Sequence, residues 1–349
     1  MDAPSSARWL DRAWERLLGA SRVGEPGTDP ALVAAPRLLP AYLYWNAVRE
    51  VVAIESVDEE LERQGAFVRT SGSRRGIVGA AAAAAWRGGH STWELIAYRS
   101  PDRRQLPRVV DAASVRAART EHPDLFLCDD PRTRRLLVAP HTPCPILFGL
   151  RSTHPAAPLA ARRTIRSEPV DRWVLFRTNQ ASGDHLVRRS VAEFTEFRSA
   201  VVDGTVGTAP ELLAGGHVRF QVTDPAGTPL TCVAFEPTKT LPRVARTLLP
   251  GDRLRVWGSR TGDPTLHLEG IELVRLEPRM GPTRPPHCGT CRRPSHSLGR
   301  SRGYRCVGCH RRWPPEAAST TIRPPVYGVG VYHPTPSARR HLAPRGPEP

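Results

Sequence analysis

Apolar residues recur at helical spacing from Tyr42, where LYWNAVREVVAIESVDEELERQGA reads as one amphipathic helix with Gly65 as its C-cap. SRRGIVGAAAAAAWRG predicts a second, Gly-flanked alanine helix, and WELIAYR beyond it a buried strand. Residues 101–135 are charged and contain prolines, so they are expected to loop over the surface. LLVAPHTPCPILFGLR holds two short apolar runs split by prolines around Cys144. HPAAPLAARRTI predicts a helix, and DRWVLFRTNQ a strand that ends in polar groups. Helices and strands mixed in this way point to an α+β sandwich.

From Phe197 the period drops to two. RSAVVDGTVG, HVRFQVTD, LTCVAFEP, DRLRVWGSR and TLHLEGIELVRLEP are five alternating runs separated by Gly, Pro and Asp turns. TKTLPRVARTLLPG, between the third and fourth, reads as a short helix. Five strands with one helix after the third is the chain order of an OB-fold, a small barrel that either binds oligonucleotides or serves as a spacer. Upstream of all this, SSARWLDRAWERLLGASR is an amphipathic helix pattern, and GEPGTDPALVAAPRLLP reads as linker.

Composition sharpens the picture at the C-terminal end. The chain has 349 residues, 36 of them proline, and a net charge of +16. From Arg279 onward 13 arginines face 2 glutamates, a net +11, whereas the preceding 278 residues carry 37 basic against 32 acidic groups, a net +5. Charge concentrated in this way suits phosphate binding better than general solubility. Lys239 is the only lysine among 50 basic residues. Biased codon usage explains that, or a primary amine matters at this one position. The longest apolar run, IVGAAAAAAW, is too short to span a bilayer. Asp11 and Glu15 argue against reading the first helix as a transit peptide. Cys128, Cys144 and Cys232 are scattered and odd in number, which implies no disulfide framework and a reducing, cytoplasmic compartment without membrane partners.

The remaining four cysteines form a pattern with chemistry in it. Cys288-x2-Cys291-x14-Cys306-x2-Cys309 provides two thiolate pairs, each able to place its sulfurs about 2.3 Å from one metal, and four thiolates in a tetrahedron suit structural zinc. Gly289, Gly299, Gly303 and Gly308 are expected to supply its tight turns, and His287 and His310 to stay outside it. A closed site of this kind leaves no open position for catalysis. Between the pairs, RRPSHSLGRSRGYR carries five arginines and Tyr304, so a metal-stiffened hairpin would present Arg300, Arg302 and Arg305 to phosphates with Tyr304 placed to stack on a base. The alternative is a soluble hairpin with a solvated face.

PVDRWVLFRTNQASGDHL, TPCPILFGLR, GGHVRFQV, CVAFEPTK, SLGRSRGYRCVGC and PSARRHL together carry a resemblance from about Tyr42 to Leu342. The chain resembles the TiaS family, the archaeal tRNA-isoleucine 2-agmatinylcytidine synthetases. The resemblance implies an ATP-dependent ligase that joins agmatine to C2 of the wobble cytidine in a CAU-anticodon tRNA. The oxygen on C2 is a poor leaving group, so it is phosphorylated before the amine displaces it. ATP, Mg²⁺ and structural zinc are the implied cofactors. The implied fold class is multidomain α+β, with a ferredoxin-like α/β region, an OB-fold barrel and a C-terminal four-cysteine zinc ribbon. The expected division is an N-terminal helix and linker (1–40), a remnant of a kinase-like domain (41–140), a ferredoxin-like domain (141–196), the OB-fold (197–278), the zinc ribbon (279–318) and a basic tail (319–349).

The family's Gly-Ile-Asp-Asp-Thr-Asp signature, whose acids hold metal and phosphate, does not occur in these residues. The one Asp-Asp pair, Asp129–Asp130, is expected in a charged surface loop, and Arg151 precedes Ser-Thr-His where the family usually places Gly-Glu. Three explanations stand: a start upstream of Met1, a kinase segment on a separate chain, or a tRNA-binding protein without catalysis. Thr178, Asn179, Gln180, Asp184 and His185 follow a strand, where polar groups can face a cleft. Asp184, able to pair with the guanidinium of agmatine, and His185, able to act as base, are the catalytic candidates. Arg151, Thr178, Asn179 and Gln180 are the substrate-binding candidates. Lys239, Arg300, Arg302, Tyr304 and Arg305 are those for tRNA.

Overall fold

The computed structural model describes residues 3–21 and 28–344. The expected linker over 24–27 and the last five residues of the expected tail lie outside them. Helix α1 (Ala3–Ala20) is followed by strand β1 (Ala31–Ala34), helices α2 (Tyr42–Arg49) and α3 (Ile54–Arg63), strand β2 (Phe67–Thr70) and helix α4 (Gly76–Ala85). Two expectations change here. The stretch read as linker is structured: β1 pairs antiparallel with β2, and Leu39 is buried with Leu43, Tyr44, Leu61 and Ile77 in one small core. The single helix expected from Tyr42 is two, because Glu50 turns extended and its carboxylate meets Arg189 and Arg198 far along the chain. The helix stop at Gly65 holds, with φ +61 in the left-handed region. Gly76 opens α4 because a Cβ there would lie 1.8 Å from the Asp29 carbonyl oxygen.

Strand β3 (Thr92–Tyr98), helix α5 (Ala112–Glu121), strands β4 (Leu125–Phe126), β5 (Asp129–Asp130), β6 (Arg135–Leu136) and β7 (Ile146–Ser152), helix α6 (Ala156–Ala161) and strand β8 (Arg172–Thr178) follow. The main sheet runs β4-β7-β3-β8, antiparallel throughout, and β5 pairs with β6. Leu95 and Ala97 of β3, with Phe148 and Leu150 of β7, share a core with Val115, Ala118 and Ala161 of the helices, the spacing of two that a half-covered strand requires. Residues 101–135 therefore hold a helix as well as loops. Asp111 caps it by accepting from the amides of Ala113 and Ser114, at 3.0 and 3.3 Å. Residue 140 lies between β6 and β7, and Val138 on one side of it and Leu147 and Phe148 on the other share this core.

The five alternating runs form a closed barrel of β9 (Ser199–Val206), β11 (Val218–Thr223), β12 (Pro229–Ala234), β13 (Arg253–Ser259) and β14 (Thr265–Arg275). A short strand β10 (Glu211–Leu212) edges β11, and helix α7 (Thr240–Ala245) follows β12. Closure runs β9-β11-β12-β14-β13-β9, antiparallel except for the parallel β12–β14 pair. Val202, Phe220, Val256, Leu266 and Leu241 fill its interior. Each such side chain contributes about 1.5–3 kcal/mol relative to exposure.

An antiparallel arm of β15 (Arg279–Arg284) and β19 (Ser319–Arg323) leaves the barrel and carries a three-stranded knot of β16 (Ser295–Ser297), β17 (Tyr304–Cys306) and β18 (Arg312–Trp313). The arm is fastened at its root by buried Asp252, which accepts from both terminal nitrogens of Arg279, at 2.7 and 2.6 Å, and from the amides of Leu249 and Glu277. The described part of the expected basic tail is not a free tail. Strand β20 (Gly330–Tyr332) pairs with β14, and the segment beyond it packs back over the barrel and the sheet. No helix among the described residues is long and apolar enough to cross a membrane.

Candidate functional site

Strands β3, β7 and β8 reach the same end of their sheet. Thr92, Glu94, Arg151 and Thr178 meet there, with Glu94 opposite Arg151 and Thr92 opposite Thr178. The chain leaving β8 turns through Ala181, at φ +56, and Gly183, at φ +71. Two bonds to the C-terminal segment hold this turn: the Ala181 amide donates to His341 O at 2.7 Å and the Gly183 amide to Leu342 O at 2.8 Å. Glycine suits position 183 both for its backbone angle and because a Cβ would lie 3.0 Å from Pro344.

Glu94, Arg151 and Gln180 close a triangle. Arg151 Nη2 lies 3.0 Å from Glu94 Oε1, Arg151 Nε donates to Gln180 Oε1 at 2.8 Å, and Gln180 Nε2 donates to Glu94 Oε2 at 2.5 Å. Gly149 makes room for the carboxylate, since a Cβ there would lie 2.9 Å from Glu94 Oε1. Beside it the Thr92 hydroxyl donates to Gln180 O at 3.0 Å and lies 3.0 Å from the Thr178 hydroxyl.

Asp184 is buried and tied to the first core. The Tyr44 hydroxyl donates to its Oδ2 at 2.6 Å, His90 Nδ1 lies 3.1 Å from its Oδ1, and Arg49 Nε donates to its carbonyl at 2.9 Å. Asn179 Nδ2 donates in turn to the Tyr44 oxygen at 3.1 Å. Burial and the Asp184 carboxylate push the Tyr44 phenol up to about 12, so it stays a donor through the neutral range. The His90 side chain is 76% exposed, so one of the groups bonded to the buried Asp184 carboxylate stands at the surface.

His185, the next residue, has different surroundings. Its Nε2 lies 3.2 Å from Oε2 of buried Glu269 on β14, whose other oxygen accepts from Arg340 Nη1 at 2.7 Å. Its Nδ1 is buried without a partner. Burial raises the Glu269 carboxyl, but His185 and Arg340 outweigh it and hold the group below its ordinary range. Asp184 and His185 therefore do not act on one another: one fastens the turn to α2, the other to the barrel.

Asp129 and Asp130 are buried, not in a surface loop. Arg119 donates to Asp129 at 2.9 Å, and Asp130 accepts from the Ser337 hydroxyl at 2.8 Å and the Arg132 amide at 3.0 Å. The pair anchors a helix and the C-terminal segment.

In the knot the four sulfurs of Cys288, Cys291, Cys306 and Cys309 all lie within 4.8 Å of one another. Cys288 and Cys309 are 3.4 Å apart, and Cys291 and Cys306 3.3 Å. Bonds of about 2.3 Å in a tetrahedron put sulfurs about 3.8 Å apart, so the four fit one metal ion. His287 and His310 are not in the cluster. Of the four glycines expected to make turns, Gly299 and Gly303 do so at positive φ, of +110° and +74°. Gly308 serves through close approach: its amide donates to Cys306 Sγ at 3.3 Å, and a Cβ would lie 2.7 Å from Arg293. Arg300 and Arg302 are exposed on the hairpin tip, whereas Tyr304 and Arg305 are half-buried on β17. Lys239 sits at φ +57 ahead of α7, its amine paired with Glu236 on the surface.

The structure thus brings together Arg151, Thr178, Asn179, Gln180 and Asp184, leaves His185 facing the barrel, and places the expected tRNA contacts on the barrel and knot. Sequence reading missed Tyr44, His90 and Glu94. Only Glu94 left a signal, as a lone acid inside the apolar run TWELIAY.

A family model described as the TiaS FLD domain matches residues 74–185. A Methanosarcina mazei protein named TiaS, a 2-agmatinylcytidine synthetase of an isoleucine tRNA, is 36% identical over 315 residues, covering 88% of this chain and 73% of that protein. One of the same name from Methanopyrus kandleri is 36% identical over 343 residues, 92% and 77% of the two chains. Among solved structures, apo TiaS superposes with a TM-score of 0.86 at 31% identity, over 98% of this chain and 82% of that one. A TiaS complex with an isoleucine tRNA, AMPCPP and agmatine superposes with a TM-score of 0.82 at 30% identity, over 97% and 81%.

Proposed function

The chain belongs to the TiaS family, and we propose that it takes part in the ATP-dependent attachment of agmatine to C2 of the wobble cytidine in a CAU-anticodon tRNA-Ile. The observation that carries this reading is the single polar end of the sheet, where two carboxylates, Glu94 and Asp184, stand among Arg151, Thr178, Asn179 and Gln180, in a chain that superposes on tRNA- and agmatine-bound relatives. Agmatine bears a guanidinium at one end and an amine at the other. A carboxylate takes the guanidinium by paired, charge-assisted hydrogen bonds. Glu94 already binds one guanidinium, that of Arg151, and the exposed ring of His90 is the partner of Asp184 that an incoming cation would replace. Arg151 and Gln180 fix the orientation of Glu94, and Tyr44 fixes that of Asp184. We read His185 as a positioning residue that ties this turn to the barrel, since Glu269 occupies its Nε2.

The sheet unit has the order β-α-β-β-α-β that supports a ferredoxin-like reading, and the barrel closure supports an OB-fold. We assign residues 74–185, the span of the family-model match, to the ferredoxin-like domain, 199–275 to the OB-fold and 279–323 to the zinc ribbon on its arm, and read the segment before residue 74 as kinase-like. Zinc, held by the four cysteines, would stiffen the hairpin that presents Arg300 and Arg302 to tRNA phosphates, with Tyr304, Arg305 and Lys239 as further contacts. ATP would arrive with Mg²⁺. Phosphorylation turns the C2 oxygen into a leaving group before the amine displaces it. The cytoplasm, where tRNA and ATP meet, is the compartment this reading requires.

A second reading, tRNA binding without catalysis, is favoured by the structural use of the Asp129–Asp130 pair, which holds Arg119 and Ser337 rather than facing a nucleotide. Incubation with agmatine, ATP and a CAU-anticodon tRNA transcript separates the two. Agmatinylated cytidine in the nuclease digest supports ligation, and tight tRNA binding without it supports the second reading.

A further inference from the structure

The segment from Gly330 to Pro344, which contains PSARRHL, crosses from the barrel to the end of the sheet and is fastened to both on the way. It starts as strand β20 beside β14, and residues 333–336 are then buried in succession although they lie in no strand. The His333 ring meets Trp257 of β13 edge-on, with centroids 5.5 Å apart and planes at 62°, and the Thr335 amide donates to Thr238 O at 3.1 Å. Ser337 reaches the sheet unit, its hydroxyl donating to buried Asp130 at 2.8 Å.

From Arg340 onward the segment holds the turn that carries Asp184, and it does so at both ends. At the first end, His341 O and Leu342 O accept from the Ala181 and Gly183 amides. Ala181 keeps φ +56 without being glycine, a conformation that costs energy and persists where the surroundings fix it. At the second end, Arg340 Nη1 donates to Ser259 Oγ and to Glu269 Oε1, both at 2.7 Å, and Glu269 Oε2 lies 3.2 Å from His185 Nε2. Glu269 and His185 are buried, where charged hydrogen bonds are strong. The Arg340 side chain is 54% exposed, so its head can be replaced without opening a cavity.

We propose that this segment is a strap that sets the position of the Asp184 carboxylate, with Arg340 as a positioning residue acting through Glu269 and His185. The inference rests on the reading of Asp184 as a partner of the agmatine guanidinium, and it names the element that places that carboxylate. A binding group must be held within about 0.5 Å of its working position, and the residues behind it do the holding. Arg340 reaches Asp184 only through the turn, so its loss is felt in agmatine affinity while tRNA binding stays as it was.

The test uses the full-length protein, with agmatine binding followed by calorimetry and deuterium uptake over residues 179–186 followed by mass spectrometry. Wild type is expected to bind agmatine and to exchange these amides slowly. Arg340→Met, which keeps an apolar stem and removes the charge, is expected to bind agmatine about tenfold more weakly, the worth of one charged hydrogen bond. Its 179–186 amides should exchange faster, with binding of a CAU-anticodon tRNA transcript unchanged. Arg340→Lys, which can still pair with Glu269, should recover most of the affinity, a rescue that lost packing alone would not show. Melting monitored by circular dichroism shows whether Arg340→Met is folded. If it is not, Ser337→Ala, which frees the strap from Asp130, carries the same expectation. Agmatine affinity and exchange unchanged in the folded variant overturn the inference and leave the agmatine reading standing, whether or not tRNA binding falls. Wild type that ignores agmatine overturns both.

Discussion

Replacing Glu94 by alanine removes one corner of the Glu94–Arg151–Gln180 triangle, and its cost follows from burial. The two charged side chains are 9% and 18% exposed, so the mutation leaves the Arg151 guanidinium largely desolvated with only the Gln180 oxygen as partner. Breaking a buried pair in this way costs about 3–5 kcal/mol. The residual exposure of Arg151 lets water relieve part of that, which points to the lower end, about 3 kcal/mol. Glu94→Gln keeps the volume and replaces charged hydrogen bonds by neutral ones, a difference of about 1 kcal/mol. Arg151→Met, which removes the charge left behind, should recover much of the loss when combined with Glu94→Ala, giving a favourable coupling in a double-mutant cycle. Urea unfolding alone is a blunt assay for a chain of several units. Hydrogen exchange of the β3, β7 and β8 amides reads the affected sheet locally, and calorimetric titration with agmatine reads the site. Exchange free energies within about 0.5 kcal/mol of wild type for Glu94→Ala would refute the claim that this triangle organises the end of the sheet.

Three further outcomes are expected. Cys306→Ser should release zinc, measured by elemental analysis of the dialysed protein, and unfold the knot while the barrel melts as before. Replacing Arg300, Arg302 and Arg305 together by alanine should weaken tRNA binding and flatten the plot of log affinity against log salt, by about 0.7–0.9 for each phosphate the hairpin no longer neutralises. Glu269, held below its ordinary range in the folded chain, adds stability above the unfolded carboxyl range that is lost as pH falls through its folded value. A thermal midpoint followed through the acid range should show that slope, and Glu269→Gln should reduce it.

What could be read from the chain alone is what depends on near neighbours. The five barrel strands showed themselves because apolar side chains alternate within each run, and the C-x-x-C steps because a metal site needs fixed local spacing. Helix α5 was hidden, since only Ser114, Val115 and Ala118 of its ten residues are buried and its surface is charged. The break at Glu50 depends on Arg189 and Arg198, which lie far along the chain where no local pattern reveals them. The C-terminal segment looked like a basic tail because every partner that folds it back is remote in the chain, from strand β14 and the amides of Ala181 and Gly183 to Asp130 and Glu269. At the candidate site the strand end RTNQ marked the right place, while Tyr44 and His90 arrive from other elements and entered only with the fold.

Equilibrium binding of a CAU-anticodon tRNA transcript to the purified chain at low ionic strength tests the central claim most directly. The account predicts saturable binding that weakens steeply as salt is added and that survives removal of agmatine and ATP. A chain that leaves the transcript unbound at low salt would contradict it.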